Sequence, residues 1–220
     1  MAMLLGILKF YVLTALLPCL VFMFWVRKTG SEKVISKFIV VIAATIILGL
    51  TINKVIPSLN PLQLLSQKQH DFISLASGKQ VDAYNKVIPS AGSNIQIHPL
   101  EPTVKSFLIN APQAFVNALF RPFVWELKSS MLLMAGIENV LVFLFVIFCL
   151  LFAKPINAIK WEYVLFCLTF VFIQLLFIGF TTPIIGAIVR YKVSALPFLL
   201  IAFLLILDKE KIKKRFSFVA

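Results

Sequence analysis

Three short groups in this chain combine residue types able to hold or move charge. They are Arg121-Pro-Phe-Val-Trp-Glu-Leu-Lys128, Glu138-Asn139 and Arg190-Tyr191-Lys192. A guanidinium pairs bidentately with phosphate or carboxylate, and a lysine adds a point charge. Arg121, Arg190 and Lys192 are therefore the candidate ligands for a substrate phosphate, with Trp125, Glu126 and Tyr191 lining the same region. Glu138 lies inside a long apolar run, where a carboxylate needs a partner or a wet cavity. It is the candidate catalytic residue, placed to orient or deprotonate a substrate.

Each group has a plainer reading. Trp125 and Arg121 are the types that anchor a chain at the headgroup level, and Lys192 can snorkel to it. Glu138 with Arg190 or Arg121 could form a neutral structural pair. The same cations could hold ordinary anionic lipid instead of a substrate. Other constellations are missing. Asp71, Asp82 and Glu101 are scattered, Asp208 and Glu210 sit in a basic tail, and His70 and His98 have no nucleophile pattern beside them. Cys19, Cys149 and Cys167 stand in apolar segments without a Cys-x-x-Cys pair, so no metal site, disulfide framework or cofactor is expected.

The elements that must position these groups are membrane spans. Hydrophobic residues make up 60% of the chain and the mean hydropathy is +0.98, beyond the ~45–50% apolar share of soluble domains. Five segments approach the roughly 20 helical residues needed to cross a bilayer core: about 4–26, 34–52, 131–153, 162–180 and 190–207. The last is the least regular, and a re-entrant piece at 182–189 could precede it. An even count of four or six is the alternative. The expected fold is all-α, a polytopic membrane helix bundle of about five transmembrane helices with an outer interfacial helix.

The net charge of +12 does not point to nucleic acid, because no groove-reading motif or aromatic platform accompanies it. The cations fall beside the apolar runs. Arg27, Lys28, Lys33 and Lys37 flank one connection, Lys154 and Lys160 another, and Lys209, Lys211, Lys213, Lys214 and Arg215 the tail. Placing all three in the cytoplasm satisfies the positive-inside rule. The N-terminus is then outside, the C-terminus inside, and the number of spans odd. A cleaved signal peptide would carry its cations before the apolar core and small residues after it; Lys9 precedes weakly, and Phe24-Trp-Val26 replaces small residues.

This divides the chain into two N-terminal spans at 1–52, an extracytoplasmic loop at 53–130, three spans at 131–207 and a basic cytoplasmic tail at 208–220. Within the loop, Leu62 to Ala76 reads as a short amphipathic helix, and Gly78 to Pro102 as irregular chain. Thr103 can cap a helix running to Phe120 that Pro112 should bend. That helix either guides the chain into the third span while lying in the headgroup layer, or roofs a lipid-substrate groove. No internal repeat of the transporter kind is visible.

Phe120-Arg-Pro-Phe-Val-Trp-Glu126, with Gly136-Ile-Glu-Asn139 ten residues on, resembles a pattern in polytopic proteins of bacterial envelope-polysaccharide pathways. Gly186-Ala-Ile-Val-Arg-Tyr-Lys-Val-Ser-Ala-Leu-Pro-Phe198 is similar to their Arg-Tyr-x-x-x-x-x-Pro-Phe stretch, and to late segments of lipid-linked-sugar glycosyltransferases of the C superfamily. The resemblance covers roughly residues 115–207. It implies a multi-pass protein of the bacterial cytoplasmic (inner) membrane acting in cell-surface polysaccharide assembly. Its partners would be membrane lipid, a polyprenyl-phosphate-linked glycan and other envelope-assembly membrane proteins. It nominates Arg121, Trp125, Glu126, Glu138, Arg190 and Tyr191. Members of that superfamily carry catalytic carboxylates in a first outer loop within a larger set of spans. This chain has neither, and resembles the C-terminal part of such a protein, glycosyltransferase-like but partial. A non-enzymatic membrane scaffold or subunit is the alternative, and a small transporter a third.

Overall fold

A computed structural model describes residues 10–55, 60–78, 92–127 and 129–216. Lys9, Asp82 and Lys128, named above, lie outside the described residues. Among the described residues the architecture is all-helical, with no strands and two isolated β-bridges. The helices are α1 Phe10–Thr29, α2 Val34–Val55, α3 Pro61–Ala76, α4 Val104–Phe120, α5 Ser130–Leu151, α6 Trp161–Thr181, α7 Ile185–Lys192, α8 Leu196–Ile206 and α9 Lys209–Phe216. Four of them, α1, α2, α5 and α6, are long and apolar enough to cross a membrane, and the broken pair α7–α8 makes five if it crosses as one span.

Their surfaces fit a bilayer and not water. Leu48 on α2 is 64% exposed, Met134 on α5 73% and Phe24 on α1 72%. Such stretches of bare hydrocarbon are covered by lipid in a membrane protein and would be an aggregation liability in water.

The last segment departs from a single helix at 190–207. The chain is helical to Lys192, breaks at Val193–Ala195, and resumes at Leu196 with Pro197 in the first turn. Pro197 has no N–H to give the Val193 carbonyl, and its ring crowds that oxygen. The break therefore falls four residues before the proline.

The chain divides into two compact units: Met1–Ile42 with Ile137–Val171 and Ser194–Ala220, and Ala43–Gly136 with Phe172–Val193. In the first, Gly30 takes φ +80°, the left-handed conformation that ends α1 and turns the chain into α2. Phe22 meets Phe38 edge to face at 5.5 Å. Phe22, Val26 and Val41 form a buried cluster against which Leu165, near the start of α6, also packs. Phe198 of α8 packs on Phe170 of α6 at 4.3 Å. An antiparallel bridge joins Ala153 to Leu207, with Lys154 N–H donating to Ile206 O and Asp208 N–H to Phe152 O, both at 2.8 Å. The ends of α1, α5 and α8 and the starts of α2, α6 and α9 thus share one end of this unit.

In the second unit, Asn60 caps α3, accepting from Leu62 and Gln63 N–H, and Thr103 caps α4, accepting from Ser106 N–H at 3.3 Å. The helix expected after Thr103 is present, with Pro112 inside it. Phe107 meets Phe180 at 5.1 Å and Phe115 meets Phe172 at 5.3 Å. As α4 advances, its contacts step backward along α6, so the two run antiparallel. Gly179 sits against the Ala114 backbone. Only a residue without Cβ permits so close an approach, a common use of small residues where membrane helices pack.

Candidate functional site

Around the C-terminal end of α4 the second unit gathers most of the polar residues that the sequence nominates. Arg121 follows the last turn of α4, and a cis peptide joins it to Pro122. A short 3-10 turn, Val124–Glu126, brings Glu126 back to Arg121, and guanidinium and carboxylate form an ion pair. Arg121 Nε donates to Asn117 Oδ1 at 3.0 Å. The other Glu126 oxygen accepts from Phe123 N–H at 2.9 Å. The guanidinium carbon lies 5.3 Å from the centre of the Phe123 ring, and Phe123 stacks on Trp125 at 4.8 Å. Trp125 itself is 74% exposed.

Lys192, at the end of α7, reaches into the same node and is only 2% exposed. Its ammonium donates to the Leu119 and Arg121 carbonyls at 3.4 and 3.3 Å. These belong to the α4 terminus, where carbonyls lack intrahelical partners, and a cation there also meets the negative end of the helix dipole. Arg121, Glu126 and Lys192 are thus brought together and engaged with one another's segments. Arg190, two residues earlier, is exposed, and Tyr191 is half-buried. Glu138 lies half-buried on α5 in the other unit.

Some participants were not singled out from sequence. Asn117 is one, although its spacing of four from Arg121 on a helix could have found it. Gln69 is another. Buried on α3, it clamps a remote peptide segment: Nε2 donates to His98 O at 3.0 Å, and Oε1 accepts from Leu100 N–H at 2.7 Å. Ser66 hydroxyl donates to Leu100 O. The segment's other end is pinned by Ile95 N–H to Pro183 O at 2.8 Å and Ile185 N–H to Ser93 O at 3.0 Å. No sequence pattern signals these pairings.

Between the clamped segment, the end of α3 and α4 lies an open cavity of about 450 Å³. Buried Ile95 and Pro183 contribute apolar surface, exposed Asn94, Gln96 and Gln113 contribute side-chain amides, and exposed His98 contributes an imidazole. Its volume is within the ~300–1,000 Å³ of small-molecule sites. Such a lining offers amide donors and acceptors without carboxylate or ammonium, suited to hydroxyl-bearing ligands. No family model, curated protein or solved structure matches this chain.

Proposed function

We propose that this chain is an integral membrane protein of bacterial cell-surface polysaccharide assembly that binds a polyprenyl-phosphate-linked sugar. The observation behind this reading is the amide-lined cavity beside Pro183, from which α7 runs toward exposed Arg190. From Ile185 to Arg190 is about 8 Å of helix rise, roughly the reach from the far-edge hydroxyl of a hexose to the outer oxygens of its anomeric phosphate. Arg190 would hold the phosphate, and Gln96 and Gln113 the sugar hydroxyls. Arg121 and Lys192 would then act by ordering the end of α4 and not as direct phosphate ligands.

In cells that depend on this protein for a surface polysaccharide, Arg190→Ala should abolish output while membrane insertion is unchanged. Normal output from that variant would remove Arg190 from the reading.

A second reading, a membrane scaffold or subunit, is favoured by the internal engagement of Arg121, Glu126 and Lys192. It predicts that Arg190→Ala leaves output unaffected, while swapping Arg121 and Glu126 restores stability lost in either single variant.

A further inference from the structure

Three stretches far apart in sequence deliver cations to one end of the first unit. The α1–α2 turn brings Arg27, Lys28, Lys33 and Lys37, the α5–α6 connection Lys154 and Lys160, and α9 the five between Lys209 and Arg215. The packing of Leu165 against the Phe22–Val26–Val41 cluster ties the first to the second, and the Ala153–Leu207 bridge ties the second to the third.

Some of these cations are internally engaged. Lys37 donates to Thr29 O and Gly30 O, Lys154 to Leu205 O, and Lys211 to Ala153 O. The remainder, among them Arg27, Lys28, Lys160, Lys209, Lys214 and Arg215, are exposed. Acidic groups offset them only in part. Asp208 caps α9 by accepting from Glu210 and Lys211 N–H, and Glu210 approaches Lys213 at 3.8 Å as a fully solvated pair, which contributes little. Exposed Glu32 and half-buried Glu162 complete the acids of this end.

The cations border hydrocarbon. Ile35 is 59% exposed and Leu151 74%, so the charge stands where apolar helix surface gives way to polar chain. A protein or nucleic-acid partner would not need that apolar border; a lipid headgroup layer does.

We propose that this end is a binding face for anionic phospholipid, with α9 lying on the headgroup layer as its main contact. Exposed lysine and arginine recognise the phosphate charge, while the adjoining helices hold the acyl chains. The engaged lysines fix the three stretches relative to one another, so the exposed cations act together and not as independent tails.

The test uses the full chain in bilayers. Trp25 and Trp161 belong to this end, and Trp125→Phe removes the reporter of the other unit. Tryptophan quenching is compared in vesicles of dibrominated phosphatidylglycerol and dibrominated phosphatidylcholine. Phosphatidylglycerol should associate about fivefold or more strongly, since each cation near an anionic surface contributes about that factor, and rising ionic strength should reduce the preference.

Lys209→Gln, Lys213→Gln, Lys214→Gln and Arg215→Gln together, which leave the Lys211 cap in place, should lower the preference about fivefold or more. If that variant is not recovered folded, Arg27→Gln with Lys28→Gln should lower it in part. Equal quenching by the two lipids in the parent would overturn the proposal. So would a preference unchanged in the folded variants, or one abolished by inorganic phosphate at constant ionic strength, which would indicate a soluble-anion site.

Discussion

Gly179 marks the closest approach of α4 to α6, and its substitution separates backbone from side-chain obstruction. A methyl added there would fall inside the van der Waals envelope of the Ala114 carbonyl and 2.8 Å from Ala114 Cα. These are backbone atoms, so no rotamer change clears the space. Restoring ordinary contact at about 3.5–4 Å requires the helices to part. Overpacking costs about 1–3 kcal/mol, and a backbone obstruction belongs at the upper end. Alanine returns up to about 1 kcal/mol through its helix propensity. The net loss for Gly179→Ala is then about 2 kcal/mol, or roughly thirtyfold in the unfolding equilibrium.

Two other glycines are internal controls for reversible unfolding in mixed micelles followed by circular dichroism. Gly49 meets nothing within 4 Å, so Gly49→Ala should be neutral or stabilising by up to about 1 kcal/mol. At Gly136 the three nearest atoms all belong to the Leu127 side chain, the closest at 2.7 Å. That flexible tip can move, so Gly136→Ala should cost less than about 1 kcal/mol, and Leu127→Ala should relieve it. Ala114→Gly should not rescue Gly179→Ala, because it deletes a side chain that is not the obstacle. Full stability in Gly179→Ala, or rescue by Ala114→Gly, would refute the backbone crossing.

Gln69→Leu should cost about 2 kcal/mol by leaving the His98 carbonyl and Leu100 N–H unsatisfied, and amide exchange at Leu100 should accelerate. Arg121→Ala should lose about 3 kcal/mol because Glu126 keeps its charge without its partner; a double-mutant cycle with Glu126→Ala should recover a coupling of about 1–3 kcal/mol. Lys192→Met retains the apolar stem but strips two carbonyls of their donor. It should cost about 1–3 kcal/mol, against near-neutrality for exposed Lys209→Met in the same unfolding assay. Cysteines placed at Asn157 and Lys213 should react with an impermeant maleimide from the same side of sealed vesicles, with little background from the buried Cys19, Cys149 and Cys167. Labelling of the two from opposite sides would contradict the Ala153–Leu207 connection.

The spans were legible because a run of about 20 apolar residues is a length signal that needs no knowledge of neighbours. The cap at Thr103 was legible for a similar reason: its bond to Ser106 spans three residues and depends on local chain direction. Arg121 is the instructive middle case. Its type and the nearby Glu126 were visible, but five residues separate them, and only the turn at Pro122–Glu126 makes them partners. From sequence, Glu138 or a phosphate was an equal claimant. The bond from Lys192 to Leu119 O joins positions 73 apart, and no periodicity reports that distance. The same holds for Gln69, whose buried amide looked like one polar residue on an amphipathic helix. The break before α8 was written in the position of Pro197, yet the cations at 190–192 were the more conspicuous interruption.

One use of lysine recurs across both units and changes the meaning of the net charge. Lys37 serves the end of α1, Lys154 the end of α8, Lys211 the chain leaving α5, and Lys192 the end of α4. In each case an ammonium from another part of the chain reaches carbonyls at or just beyond a helix C-terminus. Those oxygens have no intrahelical donors, and the ammonium donates where water would otherwise have to. Lysine suits the task because a long flexible stem carries three rotatable donors, and because the positive charge meets the negative end of the helix dipole. Counting charge by position alone would assign Lys37, Lys154 and Lys211 to topology and Lys192 to a phosphate site. Their bonds instead make them ties between elements, and it is the exposed cations left over that are free to meet a lipid or a substrate phosphate.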